Sequence, residues 1–111
     1  MKTRSLVLTG ILALSSLPVI YAKSYDITLD TTTKAGTTVL TRGEYRLKVE
    51  GSNAVFTNVR NEQRFTAPIK IENASQKHGS TAVESNQMRD GTQRLKAIEL
   101  GGSTETLEFG D

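Results

Sequence analysis

The segment GEYRLKVEGSNAVF, residues 43–56, alternates apolar and polar side chains, breaks at Gly51-Ser52 and then resumes. Successive side chains of a strand point to opposite faces, so one face of the first strand is apolar: Tyr45, Leu47 and Val49. A two-residue turn at Gly51-Ser52 sets Leu47 opposite Phe56 and predicts a β-hairpin with one apolar face. A three-residue turn would instead direct Val55 and Val59 inward, and this alternative stays open.

A second turn signal, Asn61-Glu62, extends the hairpin by a third strand. A two-residue turn there sets Phe56 opposite Ala67 and directs the same face inward as the first turn does. Large and small side chains then alternate across that face, which fills space without voids. The pattern predicts a three-stranded meander over residues 44–72. Pro68 lacks an N–H group, so we expect one side of the third strand to be an edge or a bulge.

The remainder of the chain has frequent Thr, Val and Ile and closely spaced turn residues, without a sustained helical period after residue 22. We expect strands at residues 24–29, 37–40, 44–50, 54–59, 64–72, 81–85, 93–100 and 104–109. In the segment 93–100, Leu95 and Ala97 lie on one face but Ile98 and Leu100 on the other. Either a bulge lies near Ala97 or both faces are covered. The predicted fold class is all-β, a small antiparallel β-sandwich or partly open barrel of seven to eight short strands, preceded by a signal-peptide helix.

The first 22 residues have the order of a secretory signal peptide. Lys2 and Arg4 are basic, residues 6–20 are apolar and Ala22 is small. The apolar stretch is shorter than the roughly 20 residues that a membrane helix needs, although an uncleaved anchor is the alternative. We expect cleavage near Ala22, an all-β domain at residues 23–111, and a periplasmic or secreted location. The chain has no cysteine, which favours a bacterial periplasm and excludes disulfides, thiolate metal sites and a lipoprotein anchor.

The charge of the chain depends on this leader. Removing residues 1–22 takes away two basic residues and no acid, leaving 12 of each. The pI of about 9.0 therefore predicts no affinity for nucleic acid, and a neutral domain is a poor ligand for anionic membranes. Acids are interleaved with the basic residues of the meander, which favours surface ion pairs over a binding stripe: Arg42, Arg46, Lys48, Arg60, Arg64 and Lys70 with Glu44, Glu50, Glu62 and Glu72. All aromatic residues after the leader are predicted inward, leaving none to stack on bases: Tyr25, Tyr45, Phe56, Phe65 and Phe109.

The segment VLTRGEYRLKVEG, residues 39–51, resembles a pattern found in small secreted bacterial β-proteins. The pattern is an apolar strand end, a turn with glycine, then Tyr-x-Leu-x-Val and a second glycine. The segment is more loosely similar to immunoglobulin-like and PEGA-like repeats. The resemblance implies a hairpin organisation with Gly43 and Gly51 at turns. Such modules are typically non-catalytic, so the resemblance implies no site residues.

His78 is the only histidine and therefore the only candidate for a catalytic imidazole. It lies in the polar segment NASQKHGS, residues 73–80, without a nucleophile-elbow motif, so we predict an exposed loop residue. One histidine and no cysteine exclude the usual zinc sets. The strand acids alternate with apolar residues, as on a solvated sheet face: Asp26, Asp30, Glu44, Glu50, Glu72, Glu84, Glu99, Glu105 and Glu108. We predict no catalytic, cofactor-binding or metal-binding residues, and no cofactor.

Three functions remain, in descending order of preference. The first is an exported non-enzymatic β-domain that contacts another protein, or a second copy of itself, through strand edges such as residues 24–29 or 104–109. The second is a small carrier that binds an apolar ligand in the mouth of a β-barrel. The third is an enzyme built around His78 and the loop 73–80.

Overall fold

A computed structural model describes residues 23–110, and this part of the chain is all-β. Its strands are β1 Tyr25–Leu29, β2 Thr33–Ala35, β3 Thr38–Leu40, β4 Gly43–Glu50, β5 Asn53–Asn58, β6 Arg64–Asn73, β7 Ala82–Gln87, β8 Gln93–Glu99 and β9 Glu105–Phe109. Every predicted strand is present, and the prediction of seven to eight strands was short by β2. The described part includes no helix long and apolar enough to cross a bilayer. The predicted signal peptide and its helix, residues 1–22, lie outside the described residues.

The strands form one open sheet in the order β1-β4-β5-β6-β9-β8-β2-β3, and β7 pairs with β8 outside this path. The β2–β8 pair is parallel, and the other pairs of named strands are antiparallel. β6 joins the two halves of the sheet, because its first half pairs with β5 and its second half with β9. Distant parts of the chain therefore become neighbours at β6.

The β4–β5 hairpin has the predicted register. Leu47 lies opposite Phe56, so the turn at Gly51-Ser52 has two residues and the three-residue alternative is wrong. Gly51 has φ of +62°, the left-handed conformation that a type II′ turn requires at its first central position. Val59 is 42% exposed, as the two-residue turn requires.

The β5–β6 pairing differs from the prediction by two residues, because Phe56 lies opposite Phe65 and not Ala67. The turn is longer than two residues, since the N–H of Asn58 donates to the carbonyl of Gln63 at 2.8 Å. The side chain of Asn58 stabilises this loop, because its Oδ1 accepts bonds from the N–H groups of Arg60 and Asn61 at 2.9 and 3.1 Å. A shift of two residues keeps the same face inward.

Two irregularities adapt the sheet to the core. The N–H of Ile69 donates to Ser52, so the nitrogen of Pro68 is directed to the other side of β6, where pairing with β9 begins only at Ile69. This confirms the predicted interruption at Pro68. In β8 the register shifts between Ala97 and Leu95, which makes Lys96 the extra residue of a bulge. The bulge alternative near Ala97 is therefore confirmed.

The core lies between the inward faces of these strands. Its largest fully buried side chains are Tyr45, Phe56, Leu40, Leu47, Leu95, Ile98, Leu100 and Leu107. The rings of Tyr45 and Phe56 meet edge to face with centroids 6.5 Å apart, a preferred aromatic geometry. The hydroxyl of Tyr45 donates to the carbonyl of Thr41 at 2.7 Å, so this buried polar atom is satisfied. Tyr25, Phe65 and Phe109 are half-buried and pack against the core, which confirms their inward prediction.

Candidate functional site

His78 is not the exposed loop residue that the sequence predicted. Its side chain is only 13% exposed. Its Nε2 lies 3.0 Å from Thr106 Oγ1, and its Nδ1 lies 3.8 Å from Glu99 Oε1. The imidazole therefore packs against β8 and β9, which the local composition of a polar loop does not indicate.

Backbone bonds fasten the same loop to the β8–β9 turn. The N–H of His78 donates to Ser103 at 2.8 Å, and the N–H of Gly102 donates back to the carbonyl of His78 at 2.9 Å. The N–H of Gly101 donates to Thr81 Oγ1 at 3.0 Å. We call this contact, residues 78–81 against 100–106, the His78 clamp. A glycine at 101 permits it, because a Cβ there would lie 2.7 Å from the nitrogen of Thr81.

The side chains of Thr106, His78 and Glu99 lie in the spatial order that a catalytic nucleophile, a base and an orienting acid would have. The Nδ1–Glu99 distance of 3.8 Å is longer than a hydrogen bond. Thr106 lies in β9, which pairs with β6 and β8 on its two sides, so the sheet ladders occupy the N–H groups that an oxyanion hole would need. The contacts of His78 join the segment 78–81 to β8 and β9.

The other charged groups of the described part are dispersed. Within residues 23–110, no three His, Asp or Glu side chains lie close enough together to hold a metal ion. Arg64 Nη2 lies 3.5 Å from Glu50 Oε2, an ion pair of the kind expected on the meander surface. Both side chains are more than half exposed, so the pair adds little to stability.

Of the two strand edges predicted from sequence, one is an edge in the structure and the other is not. β1 pairs with β4 alone and is an edge. β9 lies between β6 and β8, so the prediction that residues 104–109 form an edge was wrong. The second edge is β7, which pairs with β8 alone. β3 also has one strand partner, and its Thr38 Oγ1 in addition donates to the carbonyl of Thr66 in β6 at 2.8 Å.

The backbone of β1 directs bonding groups away from the sheet. The N–H of Val59 donates to the carbonyl of Glu44 at 3.0 Å, so Glu44 faces β5 and its neighbour Tyr45 faces β1. Tyr45 lies opposite Ile27, which therefore returns the bonds to β4. Since the direction alternates along a strand, Asp26 and Thr28 point their N–H and C=O groups out of the sheet.

The same argument applies to β7. The N–H of Leu100 donates to Glu105, so Leu100 faces β9 and Glu99 faces β7, where it lies opposite Ala82. Alternation then directs the backbone groups of Val83 outward. Val83 is also one of the exposed large apolar residues of the described part, at 38%.

One groove of about 350 Å³ lies between these two edges. Its lining residues come from β1 and the segment after it, from β7 and from β8: Thr28, Leu29, Asp30, Thr31, Thr33, Val83, Ser85 and Gln93. The two edge strands therefore face a common space, and we call the groove with its two edges the seam. No protein family, curated protein or solved structure matches this chain.

Proposed function

We propose that this chain is an exported, non-enzymatic β-domain that binds another protein by strand addition at the seam. The observation that carries the proposal is that Thr28 and Val83, from opposite edges, direct backbone groups outward and line one groove. An edge with unused N–H and C=O groups is a template for another strand. Main-chain bonds then supply affinity, and the side chains beside the groove supply specificity.

The proposal includes a finer description of the fold, a partly open barrel whose opening is the seam. The support for this description is that β1, at one end of the sheet, and β7, which pairs with β8 outside the main strand order, line the same groove. A carrier function has less support, because Tyr45, Phe56 and Leu107 have no exposed surface and fill the interior. Val83 is the one exposed large apolar residue among the residues that line the groove, which is too little apolar surface to enclose a small apolar ligand.

The proposed location is the periplasm or the medium. Its support is the order of residues 1–22, with Lys2 and Arg4 ahead of an apolar stretch and a small residue at the end. The absence of cysteine fits a bacterial exported protein, and the resemblance of residues 39–51 to secreted β-modules points the same way.

Site-specific photo-crosslinking in the native cell envelope tests the proposal. A photoreactive residue replaces Thr28 or Val83 in the seam, and Glu108 on the interior strand β9 serves as the control position, because its side chain is also exposed. We expect the same discrete protein adduct from both seam positions and none from position 108. Identical adduct patterns at all three positions, or a sharp monomer without adducts, would contradict the proposal.

A further inference from the structure

The outer face of β1 is acidic at the seam. Asp26, Thr28 and Asp30 are exposed, while the alternate residues Ile27 and Leu29 are 5% exposed and belong to the core. Glu44 lies opposite Thr28 on β4 and adds a further negative charge, whereas Arg46 opposite Asp26 offsets one. A strand added beside β1 would therefore meet a net negative face on its outer side.

The same charges disfavour a second copy of this chain as the occupant. Antiparallel pairing of β1 with another β1 about Thr28 sets Asp26 of each copy opposite Asp30 of the other. Parallel pairing in register sets each aspartate beside its equivalent. Like charges directly opposite one another destabilise a pair of strands. The aspartates of β1 therefore destabilise both arrangements.

The inner side of an added strand meets a different surface. Its inward side chains would enter the groove beside Val83, an exposed apolar residue, and would extend the buried row of Ile27 and Leu29 in β1. The outward side chains would lie beside Asp26, Thr28 and Asp30. Successive side chains of a strand point to opposite faces, so alternate residues of the added segment would contact these two surfaces. The two surfaces therefore predict a sequence pattern for the segment.

We propose that β1 recognises an extended protein segment of the pattern basic–apolar–polar–apolar–basic. The basic residues lie beside Asp26 and Asp30, the polar residue beside Thr28, and the two apolar residues enter the groove. The outward N–H and C=O groups of Asp26 and Thr28 pair with the main chain of the segment. This inference rests on the proposed function and assigns the chemistry of its partner.

A peptide titration on the exported, mature protein tests the pattern. The probe is a peptide containing Lys-Val-Thr-Val-Lys, and its controls carry glutamate for both lysines or N-methyl groups on alternate amides. We expect binding of the first peptide alone. Replacing both Asp26 and Asp30 by asparagine should weaken it about three- to tenfold, as two cross-strand charge pairs are lost. Glu72→Gln, an exposed acid on β6, should leave the affinity unchanged.

Thr28→Pro separates strand addition from simple charge attraction. Proline removes an outward N–H without removing a bond to β4, so the domain should fold while binding falls at least tenfold. Amide hydrogen exchange adds a readout on the unsubstituted protein, because the peptide should protect the N–H groups of Asp26 and Thr28. Urea unfolding of the variant verifies that its fold is retained, and the N-methylated peptide gives the same test without any substitution.

Several results would overturn the assignment. Equal binding of the glutamate peptide, retained binding by a folded Thr28→Pro variant, or unprotected amides at Asp26 and Thr28 would each do so. A concentration-dependent dimer that Thr28→Pro abolishes would assign the edge to a second copy. If the crosslinked adduct at position 28 persists while the basic peptide fails to bind, the partner chemistry is wrong and the proposed function stands. If both fail, the proposed function fails too.

Discussion

Gly101→Ala should open the His78 clamp. A Cβ at Gly101 would lie 2.7 Å from the nitrogen of Thr81, 2.8 Å from the carbonyl carbon of Ser80 and 2.9 Å from its Cα. Contacts of ordinary van der Waals length begin at 3.4 Å. Because all three atoms belong to the backbone, no rotation of a side chain relieves the contact. The segment at Ser80 has to move away from the β8–β9 turn.

The expected loss of stability follows from the displacement of the segment at Ser80. Forced overpacking costs about 1–3 kcal/mol. Displacement of the segment also strains the bond from the Gly101 N–H to Thr81 Oγ1, and each hydrogen bond lost costs about 0.5–1.5 kcal/mol. We expect the free energy of unfolding to fall by about 2–4 kcal/mol. The melting temperature should fall by at least about 8 °C in a domain of this size.

Gly79→Ala is the matched control, because it lies in the same loop with no atom within 4 Å of the added Cβ and without a left-handed φ. It should be neutral or stabilise by up to about 1 kcal/mol, since alanine restricts the unfolded chain. Urea unfolding followed by far-ultraviolet circular dichroism measures both variants. Amide exchange should also quicken at His78 and Gly102, whose N–H groups cross the clamp. A Gly101→Ala variant within about 0.5 kcal/mol of the control would refute the steric reasoning.

Three further measurements test the core, a loop and a carboxyl group. Phe56→Ala removes a fully buried ring and should cost about 3–5 kcal/mol in urea unfolding, whereas Val39→Ala, at a residue 47% exposed, should change stability by less than about 0.5 kcal/mol. Asn58→Ala leaves two loop N–H groups without their acceptor and should cost about 1–3 kcal/mol; an unchanged unfolding midpoint would contradict its role. The hydroxyl and N–H of Thr92 hold the pKa of Asp90 below its usual value, so the stabilisation from the ionised carboxylate is present above about pH 3.9 and is lost as the pH falls through the lower folded value. A carbon-detected NMR titration should show that low midpoint, and Thr92→Ala should raise it; an equal midpoint in the two proteins would be inconsistent with this cause.

Local sequence could predict the β4–β5 hairpin because all of its determinants are local. The alternation of residues 44–50 fixes the inward face, and Gly51 fits the left-handed position of a two-residue turn. The next turn was predicted two residues out of register. Its length depends on the side chain of Asn58, which accepts two backbone bonds within the loop, and dipeptide turn signals do not contain that information.

Features that depend on pairing between segments far apart in the sequence cannot be predicted from local sequence. β2 has three residues, too few for a periodic signal, and it pairs in parallel with the first residues of β8. The prediction that residues 104–109 form an edge was wrong for the same reason, because β9 pairs with β6, which is distant from it in the sequence. The bulge at Lys96 left a local trace, because Leu95 and Ile98 are apolar at a spacing that a regular strand does not place on one face.

The seam and the clamp together explain how a small domain without cysteine keeps the β1 edge available. Small exported domains commonly depend on disulfides, because their cores are limited. Here the loop between β6 and β7 is fastened by His78, which bonds across to β9 and to the β8–β9 turn. The clamp fixes the chain just before β7, and the opposite edge, β1, carries acids that oppose pairing with itself. The clamp therefore holds the chain that leads into the β7 edge of the seam. At the β1 edge, the proposed binding mode leaves the unpaired backbone groups accessible to a segment of opposite charge.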